Sequence, residues 1–128
     1  MKYLSSYTQE KQTALFDETG AFFAFSQQQF DDAKIEGLIY VSLSAGLIVP
    51  KDNAKKLVDG LDKINADGLI QDMTENGKKA IIRRELFNYE CFYTGDISDC
   101  VDALKQYSIA EEEIREVFNF IRKTEDVE

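Results

Sequence analysis

Apolar residues recur at three- and four-residue intervals over most of this chain, with one central stretch rich in β-formers, so the pattern predicts helices around a small sheet. A first helix is expected over residues 8–20, with Thr8 as its cap and Gly20 as its stop. Residues 21–25, AFFAF, are short and apolar like a buried strand, and Ser26 can cap a following helix, QQQFDDAK. Residues 38–43 favour a strand, Ser44-Ala45-Gly46 a turn, and residues 47–49 a return strand. Asp52 then caps a helix whose Ala54, Leu57, Val58, Leu61 and Ile64 share one face, with Gly68 past its end.

From 69 to 93 the pattern stays helical, with Asn76-Gly77 as a candidate break. On a helical projection Ile82, Leu86, Tyr89 and Tyr93 form one apolar face, and Phe87 and Cys91 lie nearly opposite. A helix apolar on two sides is central in its fold or covered by a partner. Gly95 suits a left-handed helix end, and Asp96 suits the cap of a helix that turns Ile97, Val101 and Leu104 inward beside Cys100. Ser108 and Glu111 have the spacing of a capping box, followed by Ile114, Val117, Phe118 and Ile121 at helical intervals. These elements predict a single domain over 1–128, α+β and mainly α, with about five or six helices packed on a small β-sheet or hairpin.

Composition narrows the function classes. A 44% hydrophobic and 12% aromatic content without biased tracts is that of a folded chain. No apolar run reaches the roughly 18 residues of a membrane span, and the first residues lack a signal-peptide core, so a cytoplasmic protein is expected. The 24 acidic and 15 basic residues give a formal charge of -9, which disfavours direct contact with nucleic acid or an anionic membrane. The excess is uneven: 12 acids face 11 bases up to Arg84, and 12 acids face 4 bases from Glu85 onward.

The chain contains no histidine, which removes the commonest general base and metal ligand. Cys91 and Cys100 read as free, packing thiols; neighbouring Glu90 and Asp99 raise a thiol pKa and work against nucleophilic use. Neither a metal site nor a cofactor is expected. Lys78, Lys79, Arg83 and Arg84 form the basic cluster, with Lys79, Arg83 and Arg84 as candidate holders of an anion. The remaining feature is acidic: Asp99 and Asp102 point away from one apolar stripe, Glu112 and Glu116 away from the next. With Glu113 and Glu90 they could present carboxylates at spacings comparable with phosphates along a nucleic acid.

The segments AFFAFSQQQFDDAK, YVSLSAGLIVPKDN, AIIRREL and YTGDISDCVDALKQYSIAEEEI are similar to those of small uncharacterised acidic proteins of bacteriophages and gut-bacterial mobile elements. That resemblance implies a genomic setting and no activity. The leading expectation is a non-catalytic binding protein whose Glu90, Asp99, Asp102, Glu112, Glu113 and Glu116 mimic nucleic acid toward a basic, nucleic-acid-handling host defence protein. One alternative is an oligomeric module that sequesters a small anion, with Phe87, Cys91 and Tyr93 at a subunit junction. The other is a carboxylate-dependent enzyme, for which no acid stands out.

Overall fold

Alternation between helical and extended periods along the chain becomes ten regular elements in the computed structural model, which describes residues 2–125. They run α1 (Leu4–Thr19), β1 (Phe22–Phe23), α2 (Gln27–Ala33), β2 (Tyr40–Ser42), β3 (Leu47–Pro50), α3 (Ala54–Asn76), α4 (Lys78–Asn88), α5 (Cys91–Thr94), α6 (Ser98–Leu104) and α7 (Glu111–Thr124). Short 3-10 turns at Lys51–Asn53 and Lys105–Tyr107 precede α3 and follow α6. The architecture is α+β and mainly α, as the pattern predicts. It divides into two compact units, Met1–Gly68 and Leu69–Glu128, each with its own buried cluster.

In the first unit the sheet is antiparallel with order β1-β3-β2. Phe22 stands opposite Ile48, and Val41 opposite Val49. The β2–β3 hairpin closes through Leu47 N–H to the Ser44 carbonyl at 3.0 Å. Ala45 and Gly46 both take positive φ, 51° and 80°, the two-residue turn whose twist suits a hairpin. Only glycine fits the second place, because a side chain there would enter the Phe25 ring. Ser26 caps α2 as expected, its Oγ accepting from Gln29 N–H at 3.2 Å. Leu15, Leu47, Val49 and Leu57 form the core between sheet and helices.

Two expectations fail here for one reason. Thr8 is not a cap: α1 starts at Leu4, and Thr8 is buried inside it with its hydroxyl turned toward the Leu4 carbonyl. Gly68 is not a stop: α3 continues through it to Asn76. A methyl at Gly68 would lie 2.6 Å from Thr8 Cγ2, and one at Gly60 would lie 2.7 Å from Leu15 Cδ2. The two glycines are eight apart on α3, so they present a groove on one face against which α1 packs. Their role is close approach, which local pattern cannot separate from helix termination.

In the second unit Gly77, at φ 80°, breaks the helical run into α3 and α4. A further break was not expected. Glu90 adopts φ 54°, so the chain turns before α5 and the long projected face dissolves. Tyr89 and Tyr93 are consequently exposed, Tyr93 by 80%, while Ile81, Ile82, Leu86 and Cys91 stay in the core. The aromatic packing falls instead to Phe92, whose ring is tilted against Phe87 at 4.8 Å and stacked on Phe118 at 5.0 Å.

Gly68→Ala tests the α1–α3 contact. A helical alanine gains about 0.5–1 kcal/mol over glycine, but overpacking costs about 1–3 kcal/mol. We expect a net loss of about 1–2 kcal/mol in denaturant unfolding. In a Thr8→Ser background, which removes the opposing methyl, the same substitution should become neutral or stabilising.

Candidate functional site

The predicted acids, Glu90 apart, lie on α6 and α7. Ile97, Cys100 and Leu104 bury one side of α6, and Ile114, Phe118 and Ile121 bury one side of α7. Their outward positions carry Asp99, Asp102, Glu112 and Glu116, all exposed. Asp96 is not the N-cap of α6, a place taken by Ile97; it lies one residue earlier, its Oδ1 accepting from the Ser98 N–H at 2.9 Å and the Ser98 hydroxyl at 2.6 Å. The expected Ser108–Glu111 box does not form. Ile109 is drawn into the core, so Ala110 becomes the N-cap and Ser108 closes the preceding turn at φ 59°. Half of a box forms two residues later, with Glu113 Oε2 accepting the Ala110 N–H at 3.0 Å.

Glu90, Asp99, Glu112 and Glu116 make no ion pair among the described residues. Asp102 meets Lys105 at 3.1 Å, both side chains about 70% exposed. Such a pair is worth little in water. Glu113 is engaged by Lys78 at 2.8 Å, and the hydrogen bonds from Lys78 and Ala110 lower its pKa. Of the six predicted acids, four are thus free to meet a partner, one is loosely paired, and Glu113 has a structural task.

The predicted anion cluster is split: Lys79 and Arg83 line one groove, and Arg84 does not reach it. Arg83 grips Glu125 with two parallel hydrogen bonds, one of them 2.7 Å, and stacks 5.1 Å over the Phe87 ring. Arg84 is buried and turned the other way. Lys79 remains at the mouth of a groove of about 450 Å³ with Ala80, Val117, Phe120 and Ile121, where Arg83 and Glu116 complete the rim. Cys91 is wholly buried within its own unit and cannot meet a second subunit, whereas Phe87 and Tyr93 are exposed.

What the sequence pattern missed is the destination of Arg84. Asp72, fully buried near the end of α3, accepts Arg84 Nη1 at 2.9 Å and Asn76 Nδ2 at 2.7 Å on Oδ1, then Arg84 Nη2 at 3.0 Å and the Tyr107 hydroxyl at 2.5 Å on Oδ2. Arg84 Nε donates to Glu85 Oε2 at 2.9 Å, and Asn88 donates to Glu85 Oε1 at 3.3 Å. Burial opposes ionisation of Asp72, but the bonds from Arg84, Tyr107 and Asn76 outweigh it and hold the pKa below the ordinary 3.8. Burial and the Asp72 carboxylate push the Tyr107 phenol up. Every lone pair of Asp72 is occupied, so it has no acceptor site left for a substrate proton. Its spacing of twelve from Arg84 is invisible to helical periodicity.

Cys91 and Cys100 are fully buried and unoxidised. Burial raises both thiols, with Asp96 and Asp99 adding to the effect at Cys91, and carries Cys100 to about 12. Both are protonated at neutral pH and poor nucleophiles. Among the described residues, no group of three or more Cys, Asp or Glu is placed to hold a metal, and no helix is long and apolar enough to cross a membrane.

These features define a mainly helical α+β chain with a satisfied ionic core and exposed acids on α6 and α7. The Family of unknown function (DUF7659) matches residues 4–124, and the chain belongs to that family. No curated protein and no solved structure matches it.

Removing Asp72 alone leaves the buried Arg84 charge uncompensated, so Asp72→Ala should cost about 3–5 kcal/mol, part of it recovered in Asp72→Ala/Arg84→Met. Because the folded pKa is depressed, the Asp72 contribution is complete above about pH 4 and is lost as pH falls toward the folded value. Unfolding curves between pH 6 and 3 should therefore fall more steeply for wild type than for Asp72→Asn. Ellman's reagent should titrate neither cysteine in the native chain and both after denaturation.

Proposed function

We propose that this chain is a non-catalytic binding protein that engages a basic protein surface through α6 and α7. The observation that carries the reading is the set of four exposed carboxylates without ion pairs, Glu90, Asp99, Glu112 and Glu116, around helices whose apolar sides are already buried. Asp102 joins them at small cost by releasing the exposed Lys105. The buried carboxylates Asp72 and Glu85 are occupied by Arg84, Tyr107, Asn76 and Asn88, which supports binding over chemistry.

A carboxylate surface of this kind attracts the groove of a nucleic-acid-binding protein and accelerates encounter. Together with the resemblance to acidic proteins of phages and gut-bacterial mobile elements, this supports a cytoplasmic inhibitor of a nucleic-acid-handling host defence protein. No direct contact with nucleic acid or membrane is part of the reading.

The test is capture from bacterial lysate with wild type and with Asp99→Asn, Asp102→Asn, Glu112→Gln and Glu116→Gln combined. A basic nucleic-acid-handling protein should be retained by wild type alone, and more weakly as salt rises. Equal retention by both forms, with circular dichroism unchanged, would rule out the charge mechanism.

A further inference from the structure

The geometry points to the open edge of β2 as a homodimer interface, in which a second copy of this chain adds its own β2 antiparallel. The β1-β3-β2 order leaves the far side of β2 without a strand among the described residues. Leu43 N–H bonds the Leu47 carbonyl at 2.9 Å, and Lys51 N–H bonds the Ile39 carbonyl at 2.8 Å. Residues 39, 41 and 43 therefore face β3, and by alternation Tyr40 and Ser42 turn their N–H and C=O groups outward. Those groups are a template for another strand.

Proteins normally blunt such an edge with lysine, proline, a bulge or a cover. Among the described residues β2 carries no lysine, proline, bulge or covering strand, and its one protection is its length of three residues. From Gly37 to Pro50 the sequence GLIYVSLSAGLIVP contains no charged residue, in a chain whose formal charge is -9. Proline occurs only at the end of β3. Ile39 is 72% exposed, Ile35 64%, Leu38 47% and Leu43 37%, and α2 beside them has no buried residue.

A second copy is the occupant that this edge fits. With a two-fold axis at Val41, Tyr40 pairs with Ser42 of the other copy and Ser42 with Tyr40, each pair exchanging both N–H···O bonds. On one face Ile39 then meets Leu43 across the axis and Val41 meets itself, so the apolar side chains are self-complementary. The absence of charge lets two strongly acidic chains approach here without local repulsion. Taking about 200 Å² for a large apolar side chain, the four exposed residues offer on the order of 400 Å². That is about half of the roughly 800 Å² that each partner contributes to a standard interface. The outward backbone, Tyr40 and Ser42 supply polar surface, and slightly more than half apolar is the usual composition.

The edge lies in the first unit and uses none of the α6 and α7 acids, so it stands apart from the proposed function. Sedimentation equilibrium across a range of concentrations should show wild type passing from monomer to dimer. Ser42→Pro removes an outward N–H and places a ring on the edge without touching the β3 ladder. Ile39→Lys places a charge at a solvent-exposed position. Each should raise the dimer dissociation constant by about tenfold or more. In wild type, hydrogen exchange at the Tyr40 and Ser42 amides should slow as concentration rises, a readout that needs no variant. A strictly monomeric wild type would overturn the inference. So would a dimer in which those amides exchange at the monomer rate, or one that persists in folded Ile39→Lys.

Discussion

Asp72 and Arg84 form a fully buried, two-pronged ion pair, and the second unit is organised by the need to satisfy it. A charge without solvent costs several kcal/mol unless neutralised and hydrogen-bonded. Asp72 closes α3, Arg84 lies in α4, and Tyr107 comes from the turn between α6 and α7. One carboxylate thus fixes three segments far apart in sequence, where an apolar contact would tolerate sliding. Glu85, Asn76 and Asn88 complete the partners, and no buried side-chain nitrogen or oxygen among the described residues lacks a hydrogen bond.

That internal use of charge shapes what the surface can offer. The basic residues of α4 are largely consumed at home: Lys78 by Glu113, Arg83 by Glu125, Arg84 by Asp72 and Glu85. They do not neutralise Glu112, Glu116, Asp99 or Glu90. The first unit follows a different logic. Its core is a small cluster under a three-stranded sheet, closed by two glycines that let α1 approach α3, and it leaves large apolar side chains beside an open edge.

Much of the fold was legible because it rests on local rules. The α7 stripe of Ile114, Phe118 and Ile121, the Ser26 cap, the β2–β3 hairpin turn and the left-handed ends at Gly20 and Gly95 all follow from periodicity and backbone sterics. The outward position of Asp99, Asp102, Glu112 and Glu116 follows too, as the polar complement of those stripes. Where two meanings share one local signature, reading failed. Glycine stops a helix or admits a neighbour, and Gly68 does the second. Serine followed by glutamate three residues on suggests a cap, but Ile109 required burial and moved the helix start. Tyr89 and Tyr93 continue an apolar face only if the helix continues, and Glu90 ends it.

By itself the sequence determined the class of fold, the absence of histidine chemistry, the acidic balance and the uncharged run from Gly37 to Pro50, because composition and short-range periodicity suffice for these. Only the tertiary structure decided that Arg84 turns inward to Asp72 while Arg83 turns outward to Glu125, that Cys91 is sealed from any partner, and that β2 rather than β3 is left at an edge. Each depends on contacts between residues distant in sequence, and desolvation energy acts on that three-dimensional neighbourhood, which no local pattern encodes.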